Sequence, residues 1–219
     1  MATTVAHGLV GISIHCVTIS ALHRLGPLSI GLKPMLLAAV AANIPDLDML
    51  VSLLLLSDHK LLHGGITHSF VFAGAVALLL WWFIRRRESA VGIAIVGFVL
   101  VSSHVIVDWF TGPQWGLYPS HGLAALWPIE DNPIQMPVSL FKGVEHGNLY
   151  PGALYTALWE LVLLGPVTAV LMLMTYKLKF PGSENRPRAR RLMPRVFAGV
   201  CADMGKPHQN APYLRQRPP

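Results

Sequence analysis

Three stretches of this chain, 3–22, 61–84 and 89–107, contain no Asp, Glu, Lys or Arg. Each reaches about the ~20 residues that a helix needs to cross the hydrocarbon core of a bilayer. Two more apolar stretches, 36–56 and 150–176, are interrupted only by acidic residues. The pattern predicts an all-α integral membrane bundle of about five transmembrane helices. Composition agrees, since 53% of the residues are hydrophobic and only 13% are charged. A soluble globule carries roughly 25% charged residues, so that class is excluded.

The membrane-embedded helical domain spans 1–180, and a basic tail follows over 181–219. That tail is rich in Pro and Arg and lacks the spaced apolar residues that would bury a face, so disorder is expected there. Stretch 3–22 has no basic residue before it and carries His7 and His15, which marks a retained helix and not a signal peptide. The two cysteines, Cys16 in an apolar stretch and Cys201 in the tail, suggest no disulfide framework.

The net charge of +6 is unevenly placed. With the N-terminus outside, the inner segments hold Arg24, Lys33, Arg85, Arg86, Arg87 and the ten basic residues from Lys177 onward, which is 15 of the 17 Lys and Arg. Only Lys60 and Lys142 fall outside. The positive-inside rule then gives a multi-pass protein of the inner membrane with its N-terminus out and its C-terminus in the cytoplasm. A basic cluster directly after a spanning helix attracts anionic lipid headgroups, and no nucleic acid is expected as a partner.

Two segments depart from plain spanning helix. Asn43-Ile44-Pro45-Asp46-Leu47-Asp48 falls inside the second apolar stretch. Proline lacks the amide proton and disfavours helix at the residue before it, so this helix is expected to break near Pro45. Broken helices at membrane depth line cavities or are buried in protein. The long outer loop 111–149 contains Pro113, Pro119, Pro128, Pro133 and Pro137, which oppose helix, and Trp115, Tyr118 and Trp127, which favour the headgroup level. It is expected to lie over the outer surface like a lid, or else to be a plain connector.

The ionisable groups in or beside the spans are His7, His15, Asp46, Asp48, His63, His68, His104, Asp108 and Glu160. Each is costly in lipid by a few kcal/mol, so each is expected to face a partner. The topology places His7, Asp46, Asp48, His63, His68, His104 and Asp108 toward the outer leaflet. His104 and Asp108, four apart, share one helical face and can chelate one cation, or the carboxylate can orient the imidazole. Across the break, Asp46 and Asp48 can both turn inward, although Asp46 could equally cap the following helix. Gly64-Gly65 permits a turn that brings His63 and His68 together, and Thr67 or Ser69 can cap the helix beyond. His15 reads as an interior hydrogen bond, and Glu160 has no partner that the sequence assigns. His59, His121, Glu145 and His146 read as surface residues.

Mixed His and Asp ligands suit a divalent metal, zinc first and manganese or iron next. Such ions polarise a phosphoryl or acyl oxygen and lower the pKa of a water, so hydrolysis is the chemistry expected. No Walker loop, nucleophile elbow or dinucleotide fingerprint competes with it.

The early His7-Gly8, then Pro45-Asp46-Leu47-Asp48, then His63 to Ser69 ending in Thr-His-Ser, then His104-x-x-x-Asp108 before Trp109-Phe110-Thr111, together resemble the YdjM family of inner-membrane, metal-dependent hydrolases. The resemblance runs over roughly 1–130, including Leu126-Trp127-Pro128. Family members usually carry Arg where this chain has Gly64. More distantly the order of ligands is similar to that of zinc-dependent phospholipase C, which implies a phosphodiester substrate by analogy.

Three readings follow. The first is a membrane-embedded, metal-dependent hydrolase acting at the outer leaflet on a phosphoester or other small-molecule or lipid substrate. Its metal ligands would be His7, Asp48, His63, His68, His104 and Asp108, with Asp46 and Asp48 catalytic as bridging ligand or general base. The second is a proton or metal-ion transporter, in which Glu160 and His15 continue the polar path inward. The third is a metal staple that only holds the helices.

Overall fold

The computed structural model describes residues 1–22, 31–56, 63–144 and 152–179. The tail 181–219, His59, Lys60, Glu145 and His146 lie outside the described residues. Six helices run in order: α1 (Thr4–Leu22), α2 (Leu32–Ala42), α3 (Leu47–Leu56), α4 (Phe70–Ile84), α5 (Ala90–Trp109) and α6 (Gly152–Lys179). A single 3-10 turn, Ile66–His68, precedes α4. The fold class is the expected all-α one, and the sheet among the described residues is a single pair of two-residue strands.

By length and composition, two helices can cross a membrane, 90–109 and 152–177. The pair Leu32–Ala42 and Leu47–Leu55 makes a third if it counts as one span, bent by 58° at the break that Pro45 predicts. Helices α1 and α4 are apolar but shorter. At 1.5 Å per residue the 15 residues of α4 rise about 22 Å, less than the ~30 Å of the hydrocarbon core. Among the described residues, two helices, or three with the bent pair as one span, are long and apolar enough to cross, so the expected count of five is not reached by length and composition.

The interior is more polar than the exterior. His7, His68, His104 and Glu160 are among the largest fully buried side chains, whereas Leu54 is 72% and Phe83 77% exposed. A water-soluble fold arranges these types the other way round. Lipid is the surroundings that suit an apolar exterior, and small residues then allow helices to approach closely. Helix α1 packs against α2, α5 and α6, and α4 packs against α5. The approach of α1 to α2 is very tight at Gly11, where an added Cβ would stand 2.7 Å from the Ala38 carbonyl oxygen and 2.8 Å from the Ala42 Cβ.

Between α5 and α6, the proline-rich loop holds itself together without helix. Strands β1 (Thr111–Gly112) and β2 (Phe141–Lys142) pair in parallel, and antiparallel bridges link Gly116 with Ser139 and Leu123 with Ile134. Bonds among the described residues fasten it to the rest: Phe70 N–H donates to the Ala125 carbonyl at 3.0 Å, Trp109 Nε1–H to that of Ile134 at 2.7 Å, and Val144 N–H to that of Met1 at 3.0 Å. Buried Leu123 and Ala125 pack with Val105, Phe70 and Trp109 beneath. The loop is thus a fastened cover at one end of the bundle.

Gly11→Ala is expected to cost ~1–3 kcal/mol by overpacking α1 against α2. Gly74→Ala, where an added Cβ meets nothing within 4 Å, is expected to be neutral or stabilising. Denaturant unfolding of both variants in the same detergent checks the contrast.

Candidate metal centre

The centre starts at the break. Asn43 N–H donates to the Val40 carbonyl and Ile44 N–H to that of Ala41, tightening the end of α2. Pro45 has no N–H to continue the ladder. The carbonyl of Ala42, the last residue of α2, instead accepts from His104 Nδ1 at 2.8 Å. A carbonyl oxygen only accepts, so Nδ1 carries the proton and Nε2 of the neutral ring presents a lone pair.

His68 is set the same way from another side. Ser69 caps α4, its Oγ accepting from Phe72 N–H at 3.1 Å, which leaves Thr67 for a different task. The Thr67 hydroxyl donates to Asp48 Oδ2 at 2.5 Å, and its oxygen accepts from His68 Nδ1 at 3.0 Å. The proton of His68 is therefore on Nδ1, and its Nε2 also offers a lone pair. Gly64 enables the turn that delivers these residues, with φ +79°, and a Cβ there would meet Met1 Cε at 2.8 Å. A side chain at this position would be strained in this backbone.

The two Nε2 atoms point at one spot, 3.2 Å apart. Asp108 Oδ2 lies 3.2 Å from His104 Nε2 and 3.6 Å from His68 Nε2. Asp46 Oδ1 lies 3.3 Å and 3.6 Å from the same two nitrogens. Ligands held tetrahedrally at ~2.0–2.1 Å from zinc stand roughly 3.3–3.4 Å from one another. The distances among His68 Nε2, His104 Nε2 and Asp108 Oδ2 come close to the edges of one face of such a tetrahedron. Asp108 Oδ2 is buried and accepts no hydrogen bond among the described residues, as expected of an oxygen facing two lone pairs. Lone pairs and carboxylate oxygens packed this way repel unless a cation sits among them, so the residues fit a divalent metal.

Three overlapping groups can each hold an ion: His7, Asp46 and His104; Asp46, His63 and His68; His68, His104 and Asp108. Asp46 belongs to two of them, the placement that a bridging carboxylate requires. The ring of His7 stacks on that of His104 with centroids 3.7 Å apart, and its Nε2 lies 3.5 Å from Asp108 Oδ1. His63 reaches His68 edge to face, as the Gly-Gly turn suggested, and its Nδ1 lies 2.9 Å from Asp48 Oδ1. Asp48 thus holds the far sides of two imidazoles and belongs to none of the three groups. Buried His15 and Glu160, and exposed His121, also stand apart from them.

The sequence alone did not reveal the carbonyl of Ala42, the hydroxyl of Thr67 or the partner of Glu160. For Glu160 the partner is Thr3, whose N–H donates to Oε1 at 3.0 Å and whose hydroxyl donates to Oε2. A threonine just before an apolar helix was the available signal.

Residues 1–181 match the family model for the YdjM inner membrane protein. The chain belongs to the YdjM family. The match extends past residue 130, where the resemblance of the motifs ended, and takes in α6. YdjM membership and the apolar exterior together make this a membrane protein. No curated protein and no solved structure matches the chain.

Neighbouring substitutions are expected to separate ligand orientation from folding in this YdjM protein. Thr67→Val should weaken zinc binding about 10–100-fold, as loss of a ligand's outer hydrogen bond does. Ser69→Ala should lower stability by ~1 kcal/mol and leave zinc affinity unchanged. Chelator competition and unfolding on the same preparations check both.

Proposed function

We propose that the protein is a membrane-embedded, metal-dependent hydrolase of phosphoester or other ester substrates, acting at the outer leaflet of the inner membrane. The observation that carries this reading is the convergence of His68 Nε2, His104 Nε2, Asp46 Oδ1 and Asp108 Oδ2, with both imidazole tautomers fixed from behind. Zinc is the metal that best fits the donor set, with manganese or iron next. The positive-inside asymmetry supports an orientation with the N-terminus outside and the basic tail in the cytoplasm against anionic lipid headgroups.

A cleft of about 520 Å³ lies beside the centre, lined by His63, Gly64, Trp127 and Asp131 among others. That volume is within the range of small-molecule sites. A bound divalent ion would supply Lewis acidity toward the ester oxygen and toward the attacking water. His63 is placed to move the proton. With Nδ1 facing Asp48, His63 is the cleft residue we assign to proton transfer between the water and the leaving oxygen, in place of metal ligation through its other nitrogen. Asp46 stands among the ligand atoms, and Asp48 keeps His63 and His68 in their tautomers.

Transport ranks second because Glu160, which an inward path would use, is engaged with Thr3 N–H and hydroxyl.

Asp48→Asn is expected to lower turnover by a factor of about 10² or more, the scale of general acid–base catalysis, while the protein stays folded. The assay is release of head groups from membrane-lipid extract by zinc-loaded protein in detergent. Purified protein that holds no zinc, manganese or iron, even after reloading, would sink the hydrolase reading. Full turnover in Asp48→Asn would remove Asp48 and its His63 partner from the mechanism.

A further inference from the structure

Glu160 is 1% exposed on α6, an apolar helix, and belongs to no metal-binding group. A buried carboxylate there needs a strong reason to persist. Both of its oxygens accept from Thr3, and the Ala6 N–H of the first turn of α1 donates to the same carboxylate. The adjacent amide, Ala2 N–H, donates to Asp108 Oδ1 at 2.8 Å. Two consecutive residues at the start of α1 therefore tie together carboxylates from α5 and α6. The Thr3 hydroxyl oxygen also accepts from Val5 N–H at 3.2 Å, so the same side chain closes the first turn of α1. The positive end of that helix dipole favours the carboxylate beside it.

The consequence falls on Asp108. One of its oxygens, Oδ1, accepts from Ala2 N–H and lies 3.5 Å from His7 Nε2, and the other, Oδ2, faces His68 and His104. We propose that Glu160 is a positioning residue that, through Thr3 and Ala2, holds Asp108 to a single ligand oxygen. Without it the Ala2 amide drifts from Oδ1, and the Asp108 carboxylate turns to offer both oxygens. Four-coordinate geometry is then lost in favour of a higher number. Glutamine is a poor substitute, because its amide nitrogen donates where Thr3 needs an acceptor. This inference rests on the metal-centre reading above.

The test uses the full chain in detergent loaded with cobalt(II), whose visible absorption distinguishes four ligands from five or six. Wild type is expected to show the intense tetrahedral bands. Glu160→Gln and Thr3→Val should each weaken those bands and lower cobalt affinity about tenfold, the scale of lost outer hydrogen bonds. Thr3→Ser, which keeps the hydroxyl, should match wild type. The double variant should be no worse than either single one, since both cut the same link. A Glu160→Gln protein that does not fold leaves the decision to Thr3→Val. Wild-type bands and affinity in folded Thr3→Val overturn the proposal while the metal reading stands. A wild-type chain that takes up no cobalt overturns the metal reading, and this inference with it.

Discussion

The polar end of the bundle depends on one hydrogen bond, from His104 Nδ1 to the carbonyl of Ala42. A helix that breaks inside an apolar environment leaves a carbonyl that water cannot reach, and an unsatisfied one costs several kcal/mol. Pro45 creates that vacancy in the ladder and His104 fills it. The same bond that satisfies the backbone fixes the imidazole tautomer and aims its second nitrogen at Asp46, His68 and Asp108. Stability of the break and orientation of the ligand are one interaction. Gly11 contributes from the opposite side, because only its missing side chain lets α1 come near enough to carry His7 onto the ring of His104.

A second level of organisation is the division of labour among carboxylates. Asp46 and Asp108 place oxygens among the imidazole lone pairs, Asp48 stands behind two rings, and Glu160 fastens the start of α1. Four buried or half-buried acids in an apolar bundle would be prohibitive if each stood alone. Asp48, Glu160 and one oxygen of Asp108 are instead satisfied by N–H, O–H or imidazole groups, whereas Asp46 Oδ1 and Asp108 Oδ2 mark the one region where lone pairs face one another without a donor. Asymmetry between well-satisfied surroundings and a single unsatisfied centre is what distinguishes a binding site from a polar core.

Much of this was legible in the sequence because it was periodic or chemically conspicuous. Helix spacing alone puts His104 over Asp108, proline alone breaks the helix at 45, and two glycines between His63 and Thr67 announce a turn. The number of spans was less legible. Hydropathy counts apolar residues, whereas the helix length available for crossing also depends on where a 3-10 turn or a cap interrupts, as at Ile66–His68 and Ser69. Long-range partners were not legible at all. Nothing local to Glu160 points 157 residues back to Thr3, and nothing local to Ala42 marks its carbonyl as the acceptor for a histidine 62 residues on. Such pairings arise from packing. The separate duties of Asp46 and Asp48 likewise follow from the angle between α2 and α3 and not from their spacing of two.

The span from Thr3 to Glu160 bears on how the protein is made. Ribosomes deliver α1 first and α6 last, so His7 and Asp108 enter the membrane before the helix that secures the start of α1 has been synthesised. During that interval the acidic and imidazole groups of the early helices have their own backbone and hydroxyl partners but no tie to α6. The centre therefore closes late in biogenesis, when α6 arrives. A chain truncated before α6 would carry nearly every ligand and still lack the fastening that completes the site.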